Sequence, residues 1–132
     1  MVTIPPQVRD MIKRPNTNKV MACVSPDGKP HMIVCGSLMV LEEDTVVVGD
    51  AYMYRASKFI LDNPNVEFIV WLGREGYSIK ATVKTRHTAG PVFDEMYAKL
   101  EKYNLTISAV WEFEAQEVWD ESATDKAGKR LV

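Results

Sequence analysis

The feature that most constrains this chain is the stretch at residues 45–64, TVVVGDAYMYRASKFILDNP. It begins as a β-branched apolar run that favours a strand, crosses Gly49-Asp50, and turns into a short segment with helical periodicity. Arg55 and Lys58 stand in or near the first turn of that predicted helix. Free N–H groups and the macrodipole already make such an end positive, so Asp or Glu is the favoured choice there. Two cations at this place are either part of a solvated helix face or half of an anion site, where N–H groups and cations converge on one ligand. The second reading removes the local conflict, and it points to a bound phosphate.

A chain of 132 residues suits one domain spanning 1–132, and its 46% hydrophobic content supplies a core. A net charge of −2 argues against a nucleic-acid binder that works through a broad basic surface. Cys23 and Cys35 lack CxxC spacing and read as reduced, buried thiols. The longest apolar stretch, at 32–41, is interrupted by Gly36 and Ser37 and is too short to span a bilayer. The opening MVTIPPQVRDMIKRP has no apolar segment of signal-peptide length. The expectation is a cytoplasmic protein without a membrane segment. His31 and His87 are distant in sequence and no thiol cluster accompanies them, so no metal-ligand spacing is present. No Walker A loop, GxGxxG or GxSxG occurs.

Read in order, residues 5–13 predict a first helix, opened by Pro5-Pro6 and ended by Pro15. Residues 19–24 predict a strand, 25–30 (SPDGKP) a turn, and 31–41 the strand that completes a hairpin. A third strand at 45–49 leads into the helix at 53–62, whose apolar face is Ala56, Phe59 and Ile60. Residues 66–72, VEFIVWL, are apolar on both faces, which fits a strand with one face in the core and the other against a partner. After the turn GREG, residues 77–86 alternate as a half-buried strand. Gly90-Pro91 starts a last helix with the stripe Phe93, Met96, Tyr97 and Leu100. Residues 105–118 predict a final long strand, and the polar tail at 119–132 ends AGKRLV. Six mostly antiparallel strands with three short helices predict a small barrel of α+β type.

This order of elements resembles the FMN-binding split barrel of the pyridoxamine 5′-phosphate oxidase-like superfamily, over nearly the whole chain. The resemblance rests on the hairpin turn Asp27-Gly28-Lys29-Pro30-His31, matching a DGxPH pattern, and on the strand leading into RASKFILDNPNV, matching KTxxNLxxNPxV. Arg55 stands where the family usually has Lys, Ala56 where Thr or Ser is common, and Phe59 where Asn is common. The end of the pattern, Asn63-Pro64-Asn65-Val66, is intact.

The resemblance implies a six-stranded antiparallel split β-barrel with short flanking helices, and a homodimer with FMN in a groove at its interface. It puts Val34, Cys35, Gly36 and Ser37 beside the flavin ring. Asp50, Ala51 and Tyr52 line the groove, and Tyr54 flanks it. Arg55 binds the phosphate, with Lys58 a turn further along and Ser57 as the hydroxyl that replaces the family Thr. Lys129, in the AGKR-like ending, reaches the site of the same or the partner subunit. The residues alone leave Cys35-Gly36-Ser37 open to a second account, a bulge or bend at Gly36, and the two are compatible. A flavin carries its reactivity in its ring, so no dedicated catalytic side chain is required. The implied function is an FMN-dependent oxidoreductase or electron-transfer protein. The alternatives are F420 or haem in the same barrel, or a binding module that has lost tight flavin binding. The chain is short for pyridoxamine phosphate oxidase itself, whose further substrate-phosphate segments are not recognisable in it.

Overall fold

A computed structural model describes residues 1–132. The elements run α1 (Pro6–Lys13), β1 (Asn18–Val24), β2 (Pro30–Val34), β3 (Met39–Glu42), β4 (Thr45–Gly49), α2 (Tyr54–Asp62), β5 (Asn65–Leu72), β6 (Glu75–His87), α3 (Pro91–Glu101), β7 (Val110–Asp120) and β8 (Lys129–Arg130). The strands form one sheet in the order β2-β1-β5-β6-β7-β4-β3, with β8 added beside β7. Every pairing is antiparallel. The sheet does not close: β2 and β3 are its two edges, and they are joined by the turn at 35–38. That is a split barrel of α+β type, as expected.

The strand count differs from the expected six. The predicted strand at 31–41 is broken in two, because Val34 still pairs with Val20 on one edge while Met39 pairs with Val47 on the other. Between them Leu38 N–H donates to the Cys35 carbonyl at 3.0 Å and the Leu38 side chain is fully buried. The apolar pattern continued through the turn because Cys35 and Leu38 plug the core there, not because the ladder continues. The last long strand begins at Val110 rather than residue 105. Ile107 and Ala109 are buried without pairing, and Ser108 N–H donates to the Asp50 carbonyl at 3.1 Å. The polar tail forms β8, where Trp119 pairs with Arg130 and Asp120 with Lys129.

Two cores flank β4, whose residues are buried throughout. Val46 and Val48 face the barrel interior, with Met21, Phe68, Val70, Ile79, Trp111 and Phe113. Phe68 meets Phe113 edge to face at 5.1 Å. α1 closes the barrel with Val8, Met11 and Ile12, and α2 contributes Ala56 and Ile60. Val47 points the other way, into a smaller cluster with Met96, Leu100, Ile107 and Val110 under α3. This accounts for the uninterrupted β-branched run: a strand with a core on each face has no solvent side to alternate toward. In β5, Val66, Phe68 and Val70 are inward, while Ile69 and Trp71 are half-buried on the outer face.

The close approach of α3 to the end of β4 requires a glycine. A Cβ at Gly49 would lie 2.8 Å from Leu100 Cδ1, 3.1 Å from Met96 Cγ and 3.3 Å from Ile107 Cγ2. At Gly36, in the seam turn, a Cβ would meet nothing within 4 Å. Gly49→Val is therefore expected to lower unfolding free energy by about 1–3 kcal/mol through overpacking. Gly36→Ala is expected to stay within about 0.5 kcal/mol. Urea denaturation of both variants checks the contrast, and equal losses contradict it.

Candidate functional site

The seam turn, the β4–α2 connection and the end of α3 enclose a cavity of about 440 Å3. Its walls are Val34, Cys35, Gly36 and Ser37 from the turn, Ala51, Tyr52 and Met53 from the connection, and Leu100, Tyr103 and Leu105 from α3 and beyond, with Ile33, Val48 and Gly49 behind. No charged side chain lines it. The volume lies within the 300–1,000 Å3 range, roughly, of small-molecule sites. Tyr52 and Tyr103 stand at the mouth, 66% and 75% exposed.

The backbone supplies the polar groups. Ser37 Oγ accepts the Gly49 N–H at 2.9 Å, tying the turn to the end of β4. Cys35 N–H donates to the Lys19 carbonyl at 3.1 Å. The N–H groups of Gly36 and Ser37, in the turn between them, have no main-chain acceptor. At α2 the same holds for five successive residues, Tyr52, Met53, Tyr54, Arg55 and Ala56. The N-cap is Met53, which makes no side-chain cap, and the first turn holds no acidic residue. An uncapped helix start of this kind attracts an anion through its free N–H groups and its dipole.

Of the twelve residues expected at the site, Val34, Cys35, Gly36, Ser37, Ala51 and Tyr52 line this cavity. Arg55 lines a second, polar cavity of about 650 Å3 with Asp27, Lys29 and His31 of the β1–β2 turn. Its guanidinium lies 5.5 Å above the Phe59 ring, and Phe59 meets His31 edge to face at 5.4 Å. Phe59 thus serves as a platform for Arg55. Ser57 Oγ donates back to the Tyr54 carbonyl at 2.9 Å, away from the helix start. Lys58 is exposed without an ion-pair partner. Tyr54 is 70% exposed, its ring 6.1 Å from that of Tyr52. Asp50 is buried, and its carboxylate accepts the Trp111 indole N–H at 3.1 Å. Lys129 lies exposed in β8, outside both cavities.

Leu100, Tyr103 and Leu105 were not legible as site residues. The helical stripe accounts for Leu100 as core, Leu105 reads as the first residue of the last strand, and Tyr103 falls between the two elements. The chain turns sharply there, with Asn104 at φ 58° and the N–H groups of Tyr103 and Leu105 both donating to the Leu100 carbonyl, so all three residues reach one cavity wall.

Both cysteines are buried and free. Burial pushes the Cys35 thiol up to about 12, with nearby Lys19 opposing the shift. Burial raises Cys23 as well. Cys35 therefore forms part of the cavity wall as a neutral thiol and not as a thiolate nucleophile. His87 is away from the cavity, 2.7 Å from the buried Glu112. No group of three or more His, Cys, Asp or Glu side chains is placed to hold a metal ion. No helix is long and apolar enough to cross a membrane.

The chain is similar in structure to an FMN-binding protein from Syntrophomonas wolfei, with a TM-score of 0.81 at 14% identity, covering 88% of this chain and 84% of that one. It is similar to HupZ of Group A Streptococcus, with a TM-score of 0.80 at 18% identity over 95% and 99% of the two chains. It also matches HutZ, a haem storage protein from Vibrio cholerae, with a TM-score of 0.64 at 13% identity over 92% and 97%. No curated protein matches by sequence. At such identities these likenesses carry the fold alone. The family model described as pyridoxamine 5′-phosphate oxidase matches residues 4–122, most of the chain. With that match added to the split barrel and its seam cavity, the chain belongs to the pyridoxamine 5′-phosphate oxidase family.

Proposed function

We propose that this protein is a flavoprotein that binds FMN between the seam turn and the start of α2 and acts as an oxidoreductase or electron carrier. The observation that carries the reading is the run of five free N–H groups from Tyr52 to Ala56, with Arg55 among them, beside an uncharged cavity. A flat, largely apolar ring suits the cavity walls, and the free N–H groups of Gly36 and Ser37 suit its polar edge. A phosphate suits the other end, where Met53 lines the first cavity and Arg55, two residues on, lines the second. Bound FMN supplies the redox chemistry in its ring. The chain's part is to bind and orient: apolar walls exclude water from one face, turn N–H groups meet the ring edge, and Arg55 with the helix start neutralises the phosphate.

A second copy of the chain completes the groove in this reading. Val34, Val20 and Ile69 stand in register across β2, β1 and β5. They share the outer face, because Met21 and Phe68 beside them point into the core. Val34 is 83% exposed and Met32 69%. Val34 belongs both to this apolar stripe and to the cavity wall, so a partner on the stripe borders the cavity. Neither His31 nor His87 lines this cavity, so a single chain offers haem no imidazole ligand there.

One observation favours a second reading, a family member without tight flavin binding. Ala56 has no hydroxyl and Ser57 donates its own to the Tyr54 carbonyl, so neither gives the phosphate the hydroxyl hydrogen bond of the family pattern. The absorption spectrum of the purified protein separates the readings. Flavin bands, with FMN released on heating, support the proposal. A Soret band, or a colourless protein that stays apo in excess FMN, contradicts it.

Arg55→Ala is expected to weaken FMN by about 1.5–3 kcal/mol, roughly ten- to a hundredfold in dissociation constant. Ser57→Ala leaves the affinity unchanged, because its hydroxyl already serves the Tyr54 carbonyl. Fluorescence titration of the apoprotein reads both. An unchanged affinity in Arg55→Ala removes that residue from the phosphate site.

A further inference from the structure

Lys19 was an ordinary strand residue in the sequence, yet both ends of the seam turn depend on it. Its carbonyl accepts the N–H of Cys35, the first residue of the turn, at 3.1 Å. Its ammonium donates to the carbonyl of Leu38, the last, at 2.9 Å. The side chain is half-buried and forms no ion pair. Lys19 alternates with Met21 and Cys23, whose side chains are in the core, so its ammonium approaches the turn from the barrel side. Burial lowers its pKa below the usual value, opposed by the nearby Cys35.

An ammonium partly withdrawn from water with no carboxylate to pair it is costly, and an apolar residue of similar length would fill the space at less cost. A local cost of this kind tends to mark a functional requirement. The requirement visible here is geometric. Gly36 and Ser37, whose N–H groups face no main-chain acceptor, lie inside the segment that Lys19 grips. No strand pairs with them, because the sheet is open at this seam. Besides Lys19, the turn is held by the Ser37–Gly49 bond, by the Leu38–Cys35 backbone bond and by the buried Cys35 and Leu38 side chains, while Gly36 meets no neighbour.

We propose that Lys19 is a positioning residue: its carbonyl and ammonium clamp the two ends of the turn at 35–38 and hold the Gly36 and Ser37 N–H groups ready for the polar edge of a bound flavin. The clamp is a property of the chain itself, and its use rests on the flavin reading above. Lys19 needs no contact with the cofactor, and it does not line the cavity.

Native-state hydrogen exchange on the ligand-free chain tests the clamp. In Lys19→Met the Leu38 and Gly49 amides are expected to exchange about tenfold faster, as for one charge-assisted hydrogen bond lost locally. The Phe68 and Phe113 amides in the core keep their rates, and Lys19→Arg restores protection at the turn. Unchanged exchange at Leu38 and Gly49 overturns the proposal, as does uniform acceleration at all four amides, which marks a merely structural residue. In FMN titrations Lys19→Met is expected to weaken binding about tenfold while Lys19→Arg does not; equal affinities in Lys19→Met and wild type overturn the use of the clamp for flavin. A wild-type chain that takes no FMN refutes the flavin reading, and the exchange data then still decide the clamp. Should Lys19→Met not fold, acetic anhydride labelling of the wild type decides. Lys19 modified about tenfold more slowly than exposed Lys58 supports the clamp, and equal rates overturn it.

Discussion

An open sheet whose two edge strands are consecutive in sequence has to carry the chain across its own gap. Here β2 ends at Val34, β3 begins at Met39, and the turn at 35–38 makes the crossing. No ladder holds that segment, so other bonds do: Leu38 buried in the core, Ser37 Oγ on the Gly49 N–H, and Lys19 at both ends. Backbone N–H groups are normally paired or solvated. The seam leaves those of Gly36 and Ser37 free beside an apolar cavity, which is what a flat ligand with a polar edge requires. The gap that prevents the barrel from closing is also where the cavity lies.

The second half of the site follows from β4. A strand with a core on each face has to end abruptly, and Gly49 lets α3 pack against its end. Asp50 then anchors the connection, bonded through its carboxylate to Trp111 and through its main chain to Ala109 and Ser108. The chain enters α2 without a cap, leaving a helix start with free donors and no acid. Arg55 is held over Phe59, so the cation nearest this helix start has a defined place. Free donors, a helix dipole and a cation at one place are the grounds for the anionic group proposed there.

Much of this was legible in the sequence because local rules and tertiary structure agree. The strand at 45–49, the helix after it and the hairpins at 25–30 and 73–76 all have strong local signals, and the wrong-charged helix start is the local signal behind the phosphate site proposed above. The break at 35–38 was not legible, since Cys35 and Leu38 keep the apolar pattern of a strand while serving as plugs. The segment at 105–109 misleads for the same reason: Ile107 is buried under α3 and Ala109 is buried too, neither in a strand ladder. The places of Tyr103 and Lys19 depend on contacts distant in sequence, which no local pattern carries. Phe59, a departure from the family pattern, gains its meaning only from the stacking with Arg55.

In the reading proposed above, the seam cavity and an apolar stripe through Val34, Val20 and Ile69 together make a flavin groove shared by two chains. Sedimentation velocity, recorded at both the protein and the flavin absorption bands after reconstitution with FMN, tests it most directly. One boundary at twice the chain's mass, carrying flavin and protein in equal molar amounts, is expected. A monomer boundary, or flavin that sediments apart from the protein, contradicts it.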